Sequence, residues 1–390
     1  MRILHIISSG GMYGAEAVIL NMSRSLRESG HHSVLGVFAN SDNPNVQLHE
    51  RALAEGVESH LIPCSGQVDL AVMAKIRELV KETNADVVHS HGYKADIYVY
   101  LSLRKTDTPY VSTCHTWYDN NLLVTLYGVV DRLVLRRYSG VVAVSDEVKL
   151  QLLESGVRKN NVYVINNGID TRPFDSAAPT LRGNGPDKKP TVGLVGRLST
   201  EKGVDLFLHA AAAVSSVIPE AIFLVIGDGP DRAQLELLID NLNLRGRAFL
   251  LGRRDDMPSV YASLDVMVSA SRKEGLPIAI LEGMASRRAL IATAVGEVPT
   301  IIQHGYTGIL IPSEDSNAIS EAIIKLLEDG ASRDRMGTAA RRSVEDNFSA
   351  KRMTDDYLRV YEKVAAGDRN SMRPDSRGQM KVTARPDERS

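Results

Sequence analysis

Residues 191–226, TVGLVGRLSTEKGVDLFLHAAAAVSSVIPEAIFLVI, decide the fold. Thr191–Val195 is a short apolar strand. Gly196–Gly203 is a polar loop, and Val204–Ser216 carries apolar residues at helical spacing. Ile222–Ile226 is a strand again. Strand, helix, strand in immediate succession is the unit of a parallel sheet with helices on its faces. The pattern continues downstream through strands at Ala248–Leu251, Asp265–Ser269, Ala289–Thr293 and Ile309–Ile311. Helices fall near Asp231–Leu242, Pro277–Ser286 and Ala318–Glu328.

Upstream, 171–190 reads TRPFDSAAPTLRGNGPDKKP, rich in Pro and Gly and without periodicity, as a linker does. Before it the alternation recurs. Strands are expected at Arg2–Ile7, His32–Phe38, Asp86–His89, Tyr110–Thr113, Gly140–Val144 and Val162–Ile165. Helices are expected at Ala15–Ser29, Leu70–Thr83 and Leu122–Tyr138. The expected architecture is α/β, with two doubly wound domains, 1–170 and 191–348, in tandem across a cleft. A last helix, 351–366, follows. The tail 367–390 is polar and is expected to be disordered.

Composition narrows the function classes. A formal net charge of -2 over 390 residues supplies no bulk attraction to nucleic acid. Cys64 and Cys114 have no metal-type spacing and read as reduced core thiols of a cytoplasmic protein. No apolar stretch reaches the length of a membrane span. The most apolar helix, Leu122–Leu135, is interrupted by Asp131 and Arg132.

In open parallel sheets ligands bind beyond the carboxyl ends of the strands, so the loops there carry the chemistry. Ser8–Glu16, SSGGMYGAE, has glycines that let a ligand approach the backbone, and a helix start follows. A plain tight turn fits it equally well. In GRLSTEKG, Arg197 and Lys202 bracket a helix start and suit a diphosphate; two solvated cations are the alternative. In KEGLPIAILEGMA, Glu274 precedes a helix and Glu282 lies in its second turn. The amides of Gly275, Leu276 and Ile278 would face a phosphate or sugar. A carboxylate among apolar helix positions needs a partner, and the vicinal hydroxyls of a ribose would supply one; a helix cap and a local salt bridge are the alternatives. His89 and His91 end a strand, and we expect them on opposite faces, which disfavours joint metal binding. His115 follows in a loop facing the cleft.

Taken together, GGMYGAE, CHTWY, NNGID, GRLSTEKG, GDGP, LGRRDD and EGLPIAILEG resemble glycosyltransferase family 4, of the GT-B fold, to about residue 365. The most specific element is the pair Glu274 and Glu282 at the E-x7-E spacing of the retaining enzymes. The resemblance implies a retaining hexosyltransferase that uses a nucleotide-diphosphate sugar and needs no metal or other cofactor. It implies that Gly14 approaches the donor diphosphate and that Arg197 and Lys202 hold it. It further implies that Glu282 binds the ribose, that Glu274 contacts the transferred sugar, and that His115 lies at the reaction centre. Arg253 falls where main chain meets the base. The closing helix is expected to cross back onto the first domain. Many members carry Phe-Gly after the first glutamate; Gly275-Leu276-Pro277 here leaves the sugar open.

For the acceptor, Tyr13, His91, Tyr93, Lys94, Trp117 and Tyr118 stand in first-domain loops and could stack on or hydrogen-bond to a glycan. Arg132, Arg136 and Arg137 on an apolar helix would suit docking at the inner face of an anionic membrane, and hence a lipid-linked acceptor in polysaccharide or glycoconjugate synthesis. An ordinary core helix with a basic outer face is the simpler alternative. Two rival readings are a nucleotide-sugar epimerase of the same fold and a non-catalytic sugar-nucleotide-binding protein.

Overall fold

The computed structural model describes residues 1–9, 11–12, 14–41, 44–66, 69–114, 122–181 and 189–371, and two parallel sheets organise them. The first lobe runs β1 (Arg2–Ile7), α1 (Gly14–Glu28), β2 (His32–Asn40), α2 (Gln47–Ala54), β3 (Glu58–Cys64), α3 (Leu70–Thr83), β4 (Val87–His91), α4 (Tyr93–Leu103), β5 (Tyr110–Cys114), α5 (Leu122–Leu135), β6 (Gly140–Ala143), α6 (Asp146–Glu154) and β7 (Val162–Val164). Its strand order is β3-β2-β1-β4-β5-β6-β7.

The second lobe runs β8 (Thr191–Val195), α7 (Val204–Val217), β9 (Ile222–Ile226), α8 (Arg232–Asn241), β10 (Ala248–Leu250), α9 (Met257–Ala262), β11 (Val266–Ser269), α10 (Ile278–Ala285), β12 (Ala289–Thr293), α11 (Val298–Ile301), β13 (Ile309–Ile311), α12 (Ser316–Glu328) and α13 (Gly330–Asn347). Its order is β10-β9-β8-β11-β12-β13. The strand order reverses direction between β1 and β4, and again between β8 and β11. Loops leaving neighbouring strands at such a point diverge to opposite faces and open a crevice.

The chain crosses between lobes twice, and the crossings are bonded to each other. Ile169 N donates to Phe348 O at 2.9 Å and Ala350 N to Ile169 O at 2.8 Å. The last helix, α14 (Ala350–Ser371), returns to the first lobe and lays Met353, Tyr357, Val360, Tyr361 and Val364 against Ile3, Met22, Val87 and Val142. Burial of side chains such as Met353 and Val360 is worth roughly 1.5–3 kcal/mol each. The helix runs past Gly367, where composition suggests a tail begins. Polar residues alone do not end a helix; the first strong breaker is Pro374. Residues 372–390 lie outside the described residues.

The linker is less free than its composition suggests. Arg341, buried on α13, donates to Thr171 O at 3.0 Å and to Asp175 at 2.8 Å, and Ser263 Oγ accepts from Thr180 N and Leu181 N. Residues 171–181 are thus fastened to the second lobe.

Candidate active site

The crevice at β8 and β11 gathers residues singled out in the sequence, Lys202, Glu274 and Glu282 among them. After β8 the chain makes one tight helical turn, Thr200–Lys202, and then Gly203 at φ 62°. A Cβ on Gly203 would stand 1.9 Å from Ala270 O, so only glycine lets this loop press onto the end of β11. The press brings Lys202 Nζ to 2.6 Å from Glu274 Oε1. Ser271 Oγ donates to the same oxygen at 2.6 Å. Gly296, at φ 52°, backs the other side, where a Cβ would meet Glu274 O at 1.9 Å. The Glu274 side chain is 8% exposed and that of Lys202 is 30% exposed, so the cation faces the crevice and the carboxylate lies behind it.

Glu282 lies one turn into α10. Tyr261, from α9, donates its hydroxyl to Glu282 Oε2 at 2.8 Å. Burial lifts the Glu282 carboxyl to about 7, against the opposing effect of that hydrogen bond. The helix start before it is built from Gly275, Leu276, which is buried in the lobe's core, and Ile278, the first residue of α10. Across the crevice stands the start of α1: a Cβ on Gly14 would be 3.4 Å from Ile278 Cγ1. Two helix N-termini and one ammonium therefore converge, an arrangement that favours an anion between the lobes. Arg253 also spans the lobes, donating to Met12 O at 3.3 Å. Arg197 is exposed on the same loop as Lys202. Arg254 holds Asp256 through two bonds of 2.8 Å.

The other crevice, at β1 and β4, is filled by histidine. Here one expectation is corrected: His89 and His91 share a face. Side chains on a strand alternate with period two, so residues two apart point the same way. Their ring centroids are 4.1 Å apart, and His5 from β1 stacks 5.4 Å from His91. These three are the one group among the described residues with three metal-capable side chains together, their ligand atoms within 4.8 Å. Hydrogen bonds engage four of their six ring nitrogens, and His5 Nε2 is buried without a hydrogen-bond partner. His5 Nδ1 and His91 Nε2 are 3.1 Å apart, and His89 meets Tyr361 Oη at 2.7 Å and Thr113 Oγ1 at 2.8 Å.

Of the acceptor candidates, His91 is buried in this cluster. Lys94 donates to Asn40 Oδ1 at 2.6 Å, with its ammonium 5.4 Å from the Phe38 ring, and Tyr93 opens α4 beside it. Tyr13, His115, Trp117 and Tyr118 lie outside the described residues. Reading the sequence missed Tyr261 and Ser271. Each is a common residue type whose importance comes from a partner 21 and 3 positions away.

Residues 12–172 match the family described as "Glycosyltransferase Family 4", and residues 182–343 that described as "Glycosyl transferases group 1". The chain is 30% identical to "Alpha-D-kanosaminyltransferase" of Streptomyces kanamyceticus, over 76% of this chain and 81% of that one. It is 26% identical to "N-acetyl-alpha-D-glucosaminyl L-malate synthase" of Bacillus anthracis, over 93% and 96%. The crystal structure of Anabaena HepE in complex with UDP and glucose superposes with a TM-score of 0.79 at 20% identity, covering 93% of this chain and all of that one, which establishes the GT-B fold.

Proposed function

We propose, from the premise that this chain belongs to glycosyltransferase family 4, that it moves a hexose from a nucleotide-diphosphate sugar to a glycan or lipid-linked acceptor with the anomeric configuration retained. The carrying observation is the Lys202–Glu274 contact at the crevice. In this reading Lys202, Arg197 and the helix starts at Gly14 and Ile278 hold the diphosphate, Glu282 holds the ribose, and Glu274 meets the sugar. Gly275 and Leu276 offer backbone to the donor, and Arg253 lies beside the base. His115 is assigned to the sugar by resemblance alone.

The hard step is cleavage of the bond between the anomeric carbon and the diphosphate oxygen. Charge grows on that oxygen, and the ammonium of Lys202 with the amides of α10 stabilises it. The acceptor hydroxyl attacks from the same face, its proton passes to the departing diphosphate, and the new glycosidic bond forms. Lys202 is paired to Glu274, so a diphosphate bound by Lys202 would exchange one anionic partner for another. No metal is needed in this scheme because the cation and helix ends supply the charge. Retention is supported by the two relatives' names, both of which carry an α-D-glycosyl group; an α product from an α-linked donor is retention.

For the acceptor side, α5 exposes Val129, Val130 and Leu133 next to Arg132, Arg136 and Arg137. That face suits an anionic lipid surface. Among the described residues no helix is long and apolar enough to cross a membrane. Flotation with acidic vesicles tests the docking, and protein left at the bottom of the gradient rejects it.

The experiment for the whole reading screens UDP-, GDP- and ADP-sugars for a raised melting temperature. The stabilising donor is then incubated with glycan, lipid-linked and small hydroxy-acid acceptors. Transfer with an α-linked product supports the proposal. A β-linked product overturns retention, and isomerised sugar in the absence of acceptor overturns transfer.

A further inference from the structure

The pair of buried Tyr261 and half-buried Glu282 points to a role beyond the contacts already assigned. Tyr261 is fully buried on α9, its ring braced by Phe174 of the linker at a centroid distance of 6.1 Å. Its hydroxyl lies 2.8 Å from Glu282 Oε2 and 3.2 Å from Ala279 O. One phenolic proton cannot serve both. When Glu282 is ionised the proton goes to the carboxylate. When Glu282 is protonated the carboxyl proton can bond to the phenol oxygen, and the phenol turns to Ala279 O. Both states are hydrogen-bonded through Oε2, but they leave the second oxygen different: part of an anionic carboxylate when Glu282 is ionised, a neutral carbonyl when it is protonated.

We propose that Tyr261 is a positioning residue for the donor: its hydroxyl anchors one oxygen of Glu282 and leaves the other aimed at the vicinal hydroxyls of the nucleotide's ribose. This rests on the reading of Glu282 as the ribose carboxylate. Two ribose hydroxyls donate, so they call for an acceptor with free lone pairs. An ionised carboxylate held at one oxygen has them, whereas a neutral carboxyl that must place its own proton has fewer.

The surroundings leave this task to Tyr261. α10 carries no other titratable side chain, and β12 carries none. On α13, packed against α10, Arg341 is committed to Ala285 O, Asp175 and Glu345. Burial is the effect that raises the Glu282 carboxyl, and the Tyr261 hydrogen bond is what opposes it. Burial also keeps the Tyr261 phenol protonated, so the donor is present at every working pH.

The test measures binding of UDP, GDP or ADP, whichever stabilises the wild-type protein, by calorimetry from pH 6 to 9. The proteins compared are wild type, Tyr261→Phe and Glu282→Gln, with melting temperatures taken alongside. Wild type should tighten as pH rises through about 7 and then level off. Tyr261→Phe should weaken binding about tenfold at pH 7, move the midpoint up by roughly one pH unit, and recover toward pH 9. Glu282→Gln should bind weakly with little pH dependence. Inorganic pyrophosphate, which has no ribose, should bind wild type and Tyr261→Phe alike. A Tyr261→Phe protein with wild-type affinity and midpoint overturns the proposal. So does a loss equal at every pH, or one shared by pyrophosphate, because either would be a packing effect. Wild-type binding by Glu282→Gln instead removes the ribose reading itself, independently of Tyr261.

Discussion

The two lobes place buried polar side chains at equivalent points, beyond reversals of strand order, and use them differently. In the first lobe His5 bonds to His91 and His89 bonds to Tyr361 and Thr113, while His5 Nε2 is buried without a hydrogen-bond partner. Nearby, Ser90 Oγ donates to Asp96 at 2.5 Å and lies 3.0 Å from Tyr138 Oη, while burial and then the charge of Asp131 push the Asp96 carboxyl up. In the second lobe Glu274 and Glu282 are each held at one oxygen, by Lys202 with Ser271 and by Tyr261. A polar cluster bonded mostly among buried neighbours specifies packing, whereas one bonded at a single edge that faces a crevice keeps acceptor capacity for a ligand.

The sharpest way to break that contrast is Lys202→Ala. If the second-lobe cluster is catalytic, turnover should fall by a factor of roughly a hundred or more in a folded protein. Unchanged kinetics would make the Lys202–Glu274 pair as structural as the histidines.

Next comes acid. Burial lowers His5 to about 3, whereas in the unfolded chain it titrates near 6.5. Between those values the unfolded state binds more protons, so stability is present above pH 6.5 and is lost as pH falls. By pH 5 this group alone should cost roughly 2 kcal/mol, read by urea unfolding at pH 7 and pH 5. His5→Gln should flatten the slope. A slope unchanged by that substitution would mean the first-lobe cluster is open to water after all.

Glu282→Ala should weaken nucleotide binding about tenfold by calorimetry, with little change in melting temperature. The opposite pattern, a large melting shift and unaltered affinity, would move Glu282 into the structural class. The smallest effect is Tyr361→Phe, which removes the bond to His89 Nδ1. We expect a loss of about 1 kcal/mol in stability and no change in nucleotide affinity. Weaker nucleotide binding by this variant would show that the first-lobe network reaches the ligand.

Much of the fold was legible because strands and helices announce themselves locally. Val204–Val217 and Ile222–Ile226 are long or strongly apolar enough to read directly. The elements that escaped have physical reasons. β3, ESHLIPC, pairs among the described residues only with β2, at the sheet edge, where polar residues and Pro63 are tolerated. α13 is polar apart from the narrow stripe Met336, Ala340 and Val344. The histidine face was legible from period two alone and was misread.

The sequence by itself determined the alternation that makes two parallel sheets, the loops that could carry chemistry, and the spacing of Glu274, just before a short helix, and Glu282, within it. These follow from backbone geometry and side-chain period over a few residues. Only the tertiary structure decided that Lys202 meets Glu274 across 72 positions, that Tyr261 holds Glu282, and that Tyr361 reaches His89 across 272. Such contacts depend on which strands become neighbours and on how closely glycine lets two loops approach. Both are set by packing of the whole chain, which no local pattern encodes.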